Sequence, residues 1–156
     1  MSEPLAVGMP APDFDLPGDG NGRIRLSAFR GRPVVVYFYP KDDTSGCTRE
    51  AIAFSRLKPQ FDAAAVAVIG VSADPPAKHD AFKKKHELSI RLASDEAKSV
   101  LQAYAVWVEK SMYGRRYMGI ERSTFLIDGG GRIARIWRKV RVPGHGEEVL
   151  AAAKAL

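Results

Sequence analysis

Only one of the 156 residues is a cysteine, Cys47, which excludes both an intrachain disulfide framework and a Cys-x-x-Cys redox pair. An unpaired thiol suits a reducing compartment, so the cytoplasm is the expected location. No apolar run is long enough to span a bilayer, and the opening Met1 to Pro10 stretch has neither the basic n-region nor the apolar h-region of a secretory leader. The three histidines, His79, His86 and His145, show no ligand spacing with a second metal-binding residue. Structural or surface roles are therefore expected for them, and neither a metal nor any other cofactor is implied. Internal repeats and low-complexity linkers are missing as well. With 46% hydrophobic residues, the chain is expected to form a single domain over residues 1–156 with a substantial core.

Positive charge is in excess, at +6. Arg132, Arg135, Arg138, Lys139 and Arg141 crowd one segment, and Lys83, Lys84 and Lys85 another. Ile133, Ile136, Trp137 and Val140 interrupt the first cluster, as in a strand with solvated arginines around an apolar contribution to the core. No nucleic-acid motif accompanies these charges, so no specific nucleic-acid partner is expected.

Along the chain, Asp13 to Leu16 and Arg23 to Leu26, joined by the Gly-rich segment 17–22, predict an N-terminal hairpin. Val34 to Tyr39 and Val66 to Val71 read as buried strands. Between them, Thr48 to Phe61 has helical spacing and is interrupted or ended near Pro59. Pro75 and Pro76 open a helix through His86, with Ala77, Phe82 and Ala81 inward. Ile90 to Ala93 is extended, Glu96 to Tyr104 suits a short helix, and Tyr113 to Tyr117 reads as a basic turn flanked by aromatics. Ser123 to Ile127 and Arg132 to Trp137 form a second hairpin, and Glu147 to Leu156 an Ala-rich helix. This order resembles a thioredoxin-like α/β sandwich: a central mixed sheet flanked by helices, with an N-terminal β-hairpin extension.

Cys47 falls where the first buried strand gives way to the helical pattern, in its first turn. Free backbone N–H groups and the positive end of the helix dipole favour an anion there, so the thiolate is stabilised over the thiol. Its neighbours Thr44, Ser45, Gly46 and Thr48 are turn and cap residues, which places the thiol outside an apolar pocket in this reading.

The spacing Pro40-x-x-x-Thr44-x-x-Cys47 resembles the active-site motif of peroxiredoxins. The wider string Tyr39 to Ala51 is similar to the peroxiredoxin Q subgroup, also called bacterioferritin comigratory protein. Gly8 to Phe14, Arg122 to Asp128 and Val142 to His145 extend the likeness over essentially the whole chain. The resemblance implies a thiol peroxidase in which Cys47 attacks a hydroperoxide and becomes a sulfenic acid. Cys47, Thr44 and Arg122 are its implied catalytic residues. Pro40 would cap the pocket, and the N–H groups of Gly46 and Cys47 would face the peroxide. By its spacing, one turn after Cys47, Glu50 either holds the Arg122 guanidinium or simply places a favourable charge at the helix N-terminus.

Scale supports a role for those neighbours. A free thiol with a pKa of about 8.5 is a few per cent ionised at neutral pH, so full ionisation gains roughly thirtyfold, about 2 kcal/mol. A fast peroxidase needs more, supplied by positioning the peroxide and stabilising its leaving oxygen. Asp42 and Asp43 oppose a thiolate electrostatically and read as a solvated turn.

Two departures from the subgroup matter. Many members carry a resolving cysteine five residues after the first, where this chain has Ile52; others place it near Lys83, and His79 to Leu88 contains none. Recycling then needs an external thiol, from thioredoxin, glutaredoxin or glutathione, with a monomer as the expected state. Ser45, where proline is common, is the second departure. The alternative reading is a thiol-based redox sensor or chaperone-like binding module on the same fold.

Overall fold

The computed structural model describes residues 5–156. Asp15–Pro17 (β1) folds back on Arg23–Arg25 (β2), pairing Leu16 with Ile24, and both side chains enter the core. Val34–Phe38 (β3) is apolar at every position and buried at all five, as a strand covered on both faces must be. The chain continues through Ser45–Ala63 (α1), Ala67–Ser72 (β4), Pro76–His86 (α2), Arg91–Ser94 (β5) and Ser99–Ala103 (α3). Trp107–Met112 (β6), Arg115–Ile120 (β7), Ser123–Ile127 (β8), Ile133–Trp137 (β9) and His145–Lys154 (α4) complete it.

The main sheet has the order β5-β4-β3-β8-β9. β3, β4 and β5 run parallel, while β8 and β9 are antiparallel, so the sheet is mixed. Alternation in β3 divides the core: Val34, Val36 and Phe38 pack with the N-terminal hairpin and α3, and Val35 and Tyr37 with α1, α2 and α4. Tyr37 lies opposite Gly70 in the parallel register, where a Cβ would meet its ring at 2.7 Å. Glycine is required there to admit the ring.

Three expectations are corrected. The helix of Cys47 does not break at Pro59 but runs on to Ala63. Pro59 has no N–H for the Ser55 carbonyl, which instead accepts from Ser89 Oγ at 3.3 Å, while Ser89 N–H donates to Ser55 Oγ at 3.1 Å. In α2, His79 and Phe82 are buried while Ala77 and Ala81 are exposed. Segment 107–120 is a β-hairpin rather than a turn alone, with Tyr113 and Gly114 both at positive φ. Its strands are largely exposed on both faces, so no apolar alternation announced them.

Candidate active site

The site begins at the first turn of α1. Thr44 is its N-cap in extended backbone, yet its hydroxyl donates to Lys41 O at 2.8 Å and caps no helical N–H. The ladder starts with Thr48 N–H on Thr44 O at 2.8 Å, so the N–H groups of Ser45, Gly46 and Cys47 have no acceptor within the helix. These free donors and the positive end of the helix dipole belong to the turn that carries Cys47.

Cys47 itself is only 2% exposed, against the expectation that it avoids an apolar pocket. It packs with Tyr37, Tyr39, Ala51 and Phe54. The reason is the helical period: Cys47, Ala51, Phe54 and Phe61 all lie on the face of α1 that covers the sheet.

Arg122 arrives from the other side of the chain. β8 is antiparallel to β3 with Ser123 opposite Phe38, so the residue preceding β8 stands beside the loop leaving β3. Its backbone is pinned by Val140 N–H on Arg122 O at 2.9 Å. Nη2 donates to Cys47 Sγ at 3.3 Å and Nη1 to Glu50 Oε1 at 2.6 Å, so one planar fork joins thiol and carboxylate. Gly46 makes room for it, since a Cβ there would meet Arg122 Nη2 at 3.1 Å.

Glu50 is 1% exposed. Burial pushes its carboxyl up to about 7, with Arg122 opposing the rise. Burial pulls the Arg122 guanidinium down, but Glu50 and Cys47 outweigh it and hold Arg122 above its ordinary value. A fixed cation therefore sits at the sulfur. Glu50 Oε2 has no hydrogen-bond partner among the described residues.

The loop between β3 and α1 departs from expectation. Asp43 is exposed and paired with Lys85 Nζ and His86 Nε2, each at 2.8 Å. Asp42, expected in a solvated turn, is buried. Its Oδ1 accepts from Tyr39 OH at 2.5 Å and its Oδ2 lies 2.6 Å from Nδ1 of the fully buried His79. A lone aspartate in a polar turn offers no periodicity to reveal a partner 37 residues away. Pro40 and Thr44 are exposed beside this loop.

A model of the AhpC/TSA family matches residues 7–136. The chain belongs to that family. This peroxiredoxin is 45% identical over 150 residues to Peroxiredoxin Bcp of Bacillus subtilis, covering 96% of each chain. A structure of the Xanthomonas campestris bacterioferritin comigratory protein, studied for alkyl peroxide reduction, matches with a TM-score of 0.90 at 42% identity, over 96% of this chain and 98% of that one. Xylella fastidiosa PrxQ gives a TM-score of 0.93 at 39% identity, over 99% and 98%. The fold is thus the thioredoxin-like sandwich of the Bcp/PrxQ peroxiredoxins.

Cys47 is the single thiol of this peroxiredoxin. Ile52 is half-buried against the α1 side of the core, and Lys83 is ion-paired with Asp19 at 2.8 Å. Lys110, which the sequence did not single out, is a further charge near the site. Burial and Arg122 pull its ammonium below the ordinary value, against Glu121 and Cys47. Among the described residues no helix is long and apolar enough to cross a membrane.

Proposed function

We propose that this peroxiredoxin is a thiol-dependent peroxidase that reduces hydrogen peroxide and organic hydroperoxides with Cys47 as the attacking residue. The observation that carries the reading is the Arg122 fork, with Nη2 on Cys47 Sγ and Nη1 on the buried Glu50 carboxylate. The Cys47 thiolate attacks one peroxide oxygen, the O–O bond breaks, and with one proton taken up the products are Cys47 sulfenic acid and water or an alcohol. Arg122 and the N–H groups of Gly46 and Cys47 stabilise the negative charge that moves from sulfur to the leaving oxygen. The Thr44 hydroxyl, with its proton on Lys41 O, offers its lone pairs to the peroxide O–H. Pro40 borders the entrance.

With no second thiol in the chain, an external thiol condenses with the sulfenic acid, releasing water and forming a mixed disulfide. A second thiol then displaces Cys47. Thioredoxin, glutaredoxin and glutathione are the reductants this cycle admits. In this reading the protein works as a single-domain monomer in the cytoplasm. The alkyl peroxide reduction named for the Xanthomonas campestris relative supports an organic hydroperoxide as one substrate.

Stopped-flow oxidation of the reduced protein by hydrogen peroxide and an organic hydroperoxide tests the proposal, comparing wild type with Cys47→Ser, Thr44→Val and Arg122→Ala. The serine variant loses the reaction, and the other two fall about 100-fold each. A wild-type rate no greater than that of a free thiolate sinks the reading.

A further inference from the structure

Beyond the residues that touch Cys47, the buried cluster beneath its loop has a connection to the Thr44 hydroxyl. His79 Nε2 lies 3.0 Å from Ala93 O, a group that only accepts, so Nε2 carries hydrogen. Nδ1 faces Asp42 Oδ2 at 2.6 Å, so one hydrogen bond ties together two side chains that are almost wholly buried. Tyr39 OH fills the other Asp42 oxygen. The peptide unit joining Lys41 to Asp42 is clamped on both edges. Its N–H donates to Asp74 Oδ2 at 2.8 Å, and its C=O accepts from Thr44 Oγ1 at 2.8 Å. Asp74 is in turn held by Ser72 Oγ at 2.7 Å.

A buried polar pair is a poor way to gain stability, because desolvating its two members offsets most of their attraction and an apolar pair of similar volume often does as well. What it does supply is direction. Asp42 has one orientation that satisfies His79, Tyr39 and Asp74 together. That orientation fixes the 41–42 peptide plane, and the plane's carbonyl takes the Thr44 proton, turning the hydroxyl's lone pairs away from Lys41. An unanchored plane would let Thr44 cap the helix instead, donating nothing to Lys41 and accepting from the N–H groups that the peroxide needs.

We propose that Asp42 and His79 are positioning residues for the peroxide reaction: His79, from α2, holds Asp42 in the loop before α1, and together they fix the 41–42 peptide and so set Thr44 as the hydrogen-bond acceptor for the peroxide O–H. The proposal rests on the reading of Cys47 and Thr44 as the peroxide site.

Asp42→Asn and His79→Leu test it, with Tyr39→Phe as the gentler variant that removes a single hydroxyl from the cluster. Each is measured for its peroxide rate by stopped flow, for Cys47 alkylation by iodoacetamide, and for thermal unfolding. The peroxide rate falls about 10- to 100-fold in the first two and less in Tyr39→Phe, while alkylation, which makes no use of Thr44, changes by less than about twofold. In a Thr44→Val background the same substitutions cause little further loss, since both act on one hydroxyl. Wild-type peroxide rates in the folded variants, losses that multiply with that of Thr44→Val, or alkylation falling in parallel overturn the proposal. If either of the first two variants fails to fold, the outcome in Tyr39→Phe decides on the same criteria. A slow wild-type protein would overturn the underlying peroxidase reading, whereas a fast wild type with equally fast variants overturns only this inference.

Discussion

A methyl group at position 46 would stand 3.1 Å from Arg122 Nη2, close enough that the guanidinium must give by a few tenths of an ångström and lengthen its contact with the sulfur. Gly46→Ala is therefore expected to lower the peroxide rate about 10-fold with little change in stability, because the displaced atom is the mobile end of a side chain. Stopped-flow rates beside urea midpoints check this; an unchanged rate would mean the fork tolerates displacement. Glu50 acts through the same fork. With its carboxyl pushed up to about 7 by burial, it gains a proton as the pH falls through neutrality and stops offering Arg122 a full negative charge. The wild-type peroxide rate should show an inflection near 7 that Glu50→Gln lacks, and a surviving inflection would assign it elsewhere. Among these residues, Cys47, Thr44 and Gly46 were legible from the sequence because the helix start that organises them is local. Asp42 was misread, since its partner His79 reaches it through tertiary packing alone.

At the scale of elements, α1 shows how a local rule yields to a distant neighbour. Proline in a helix orphans the carbonyl four residues earlier, and Ser89 satisfies that carbonyl on Ser55. Ser89→Ala should cost about 1 kcal/mol in urea unfolding, and the same substitution in a Pro59→Ala background should cost less, since residue 59 then supplies its own N–H. Equal costs in both backgrounds would break the link. The strands of the main sheet were legible as apolar runs bounded by turn residues; of the inward face of α1 only Phe54 and Phe61 were, since Cys47 and Ala51 share it by helical period. The hairpin of β6 and β7 was not: its strands carry Glu109, Arg115 and Arg116 on open faces, and its turn is Tyr113-Gly114 rather than the commoner Asn-Gly.

For the whole molecule, one thiol means that sulfinic acid formation has no intramolecular competitor. Mass spectrometry after a peroxide pulse should find a sulfinic fraction that falls as external thiol is raised, and indifference to thiol would count against the one-cysteine cycle. Stability should depend on pH through two buried groups of opposite sign. Glu50 has a folded value raised from 4.5 to about 7, so its contribution is full below 4.5 and is lost as the pH rises through about 7. His145, buried beside Thr124 Oγ1 at 2.8 Å, is pulled from 6.5 to about 4 by burial. Its contribution is full above 6.5 and is lost as the pH falls through about 4. Between 4.5 and 6.5 the two slopes oppose, so His145→Gln should leave a protein whose urea midpoint rises on acidification across that window. A midpoint that falls there would show that the histidine is not the opposing group.

The sequence by itself determined what acts at short range: a reactive thiol in the first turn of a helix, its motif neighbours, and strands whose apolar runs demand cover on both faces. Tertiary structure alone decided what depends on register. Antiparallel pairing of β8 with β3 delivers Arg122 to a cysteine 75 positions away, and the packing of α2 under the Cys47 loop buries Asp42 against His79. Both outcomes pair polar groups in a medium poor in water, where such a group is tolerated only beside its partner. Such a partner is chosen by geometry across the fold, and spacing along the chain does not encode it.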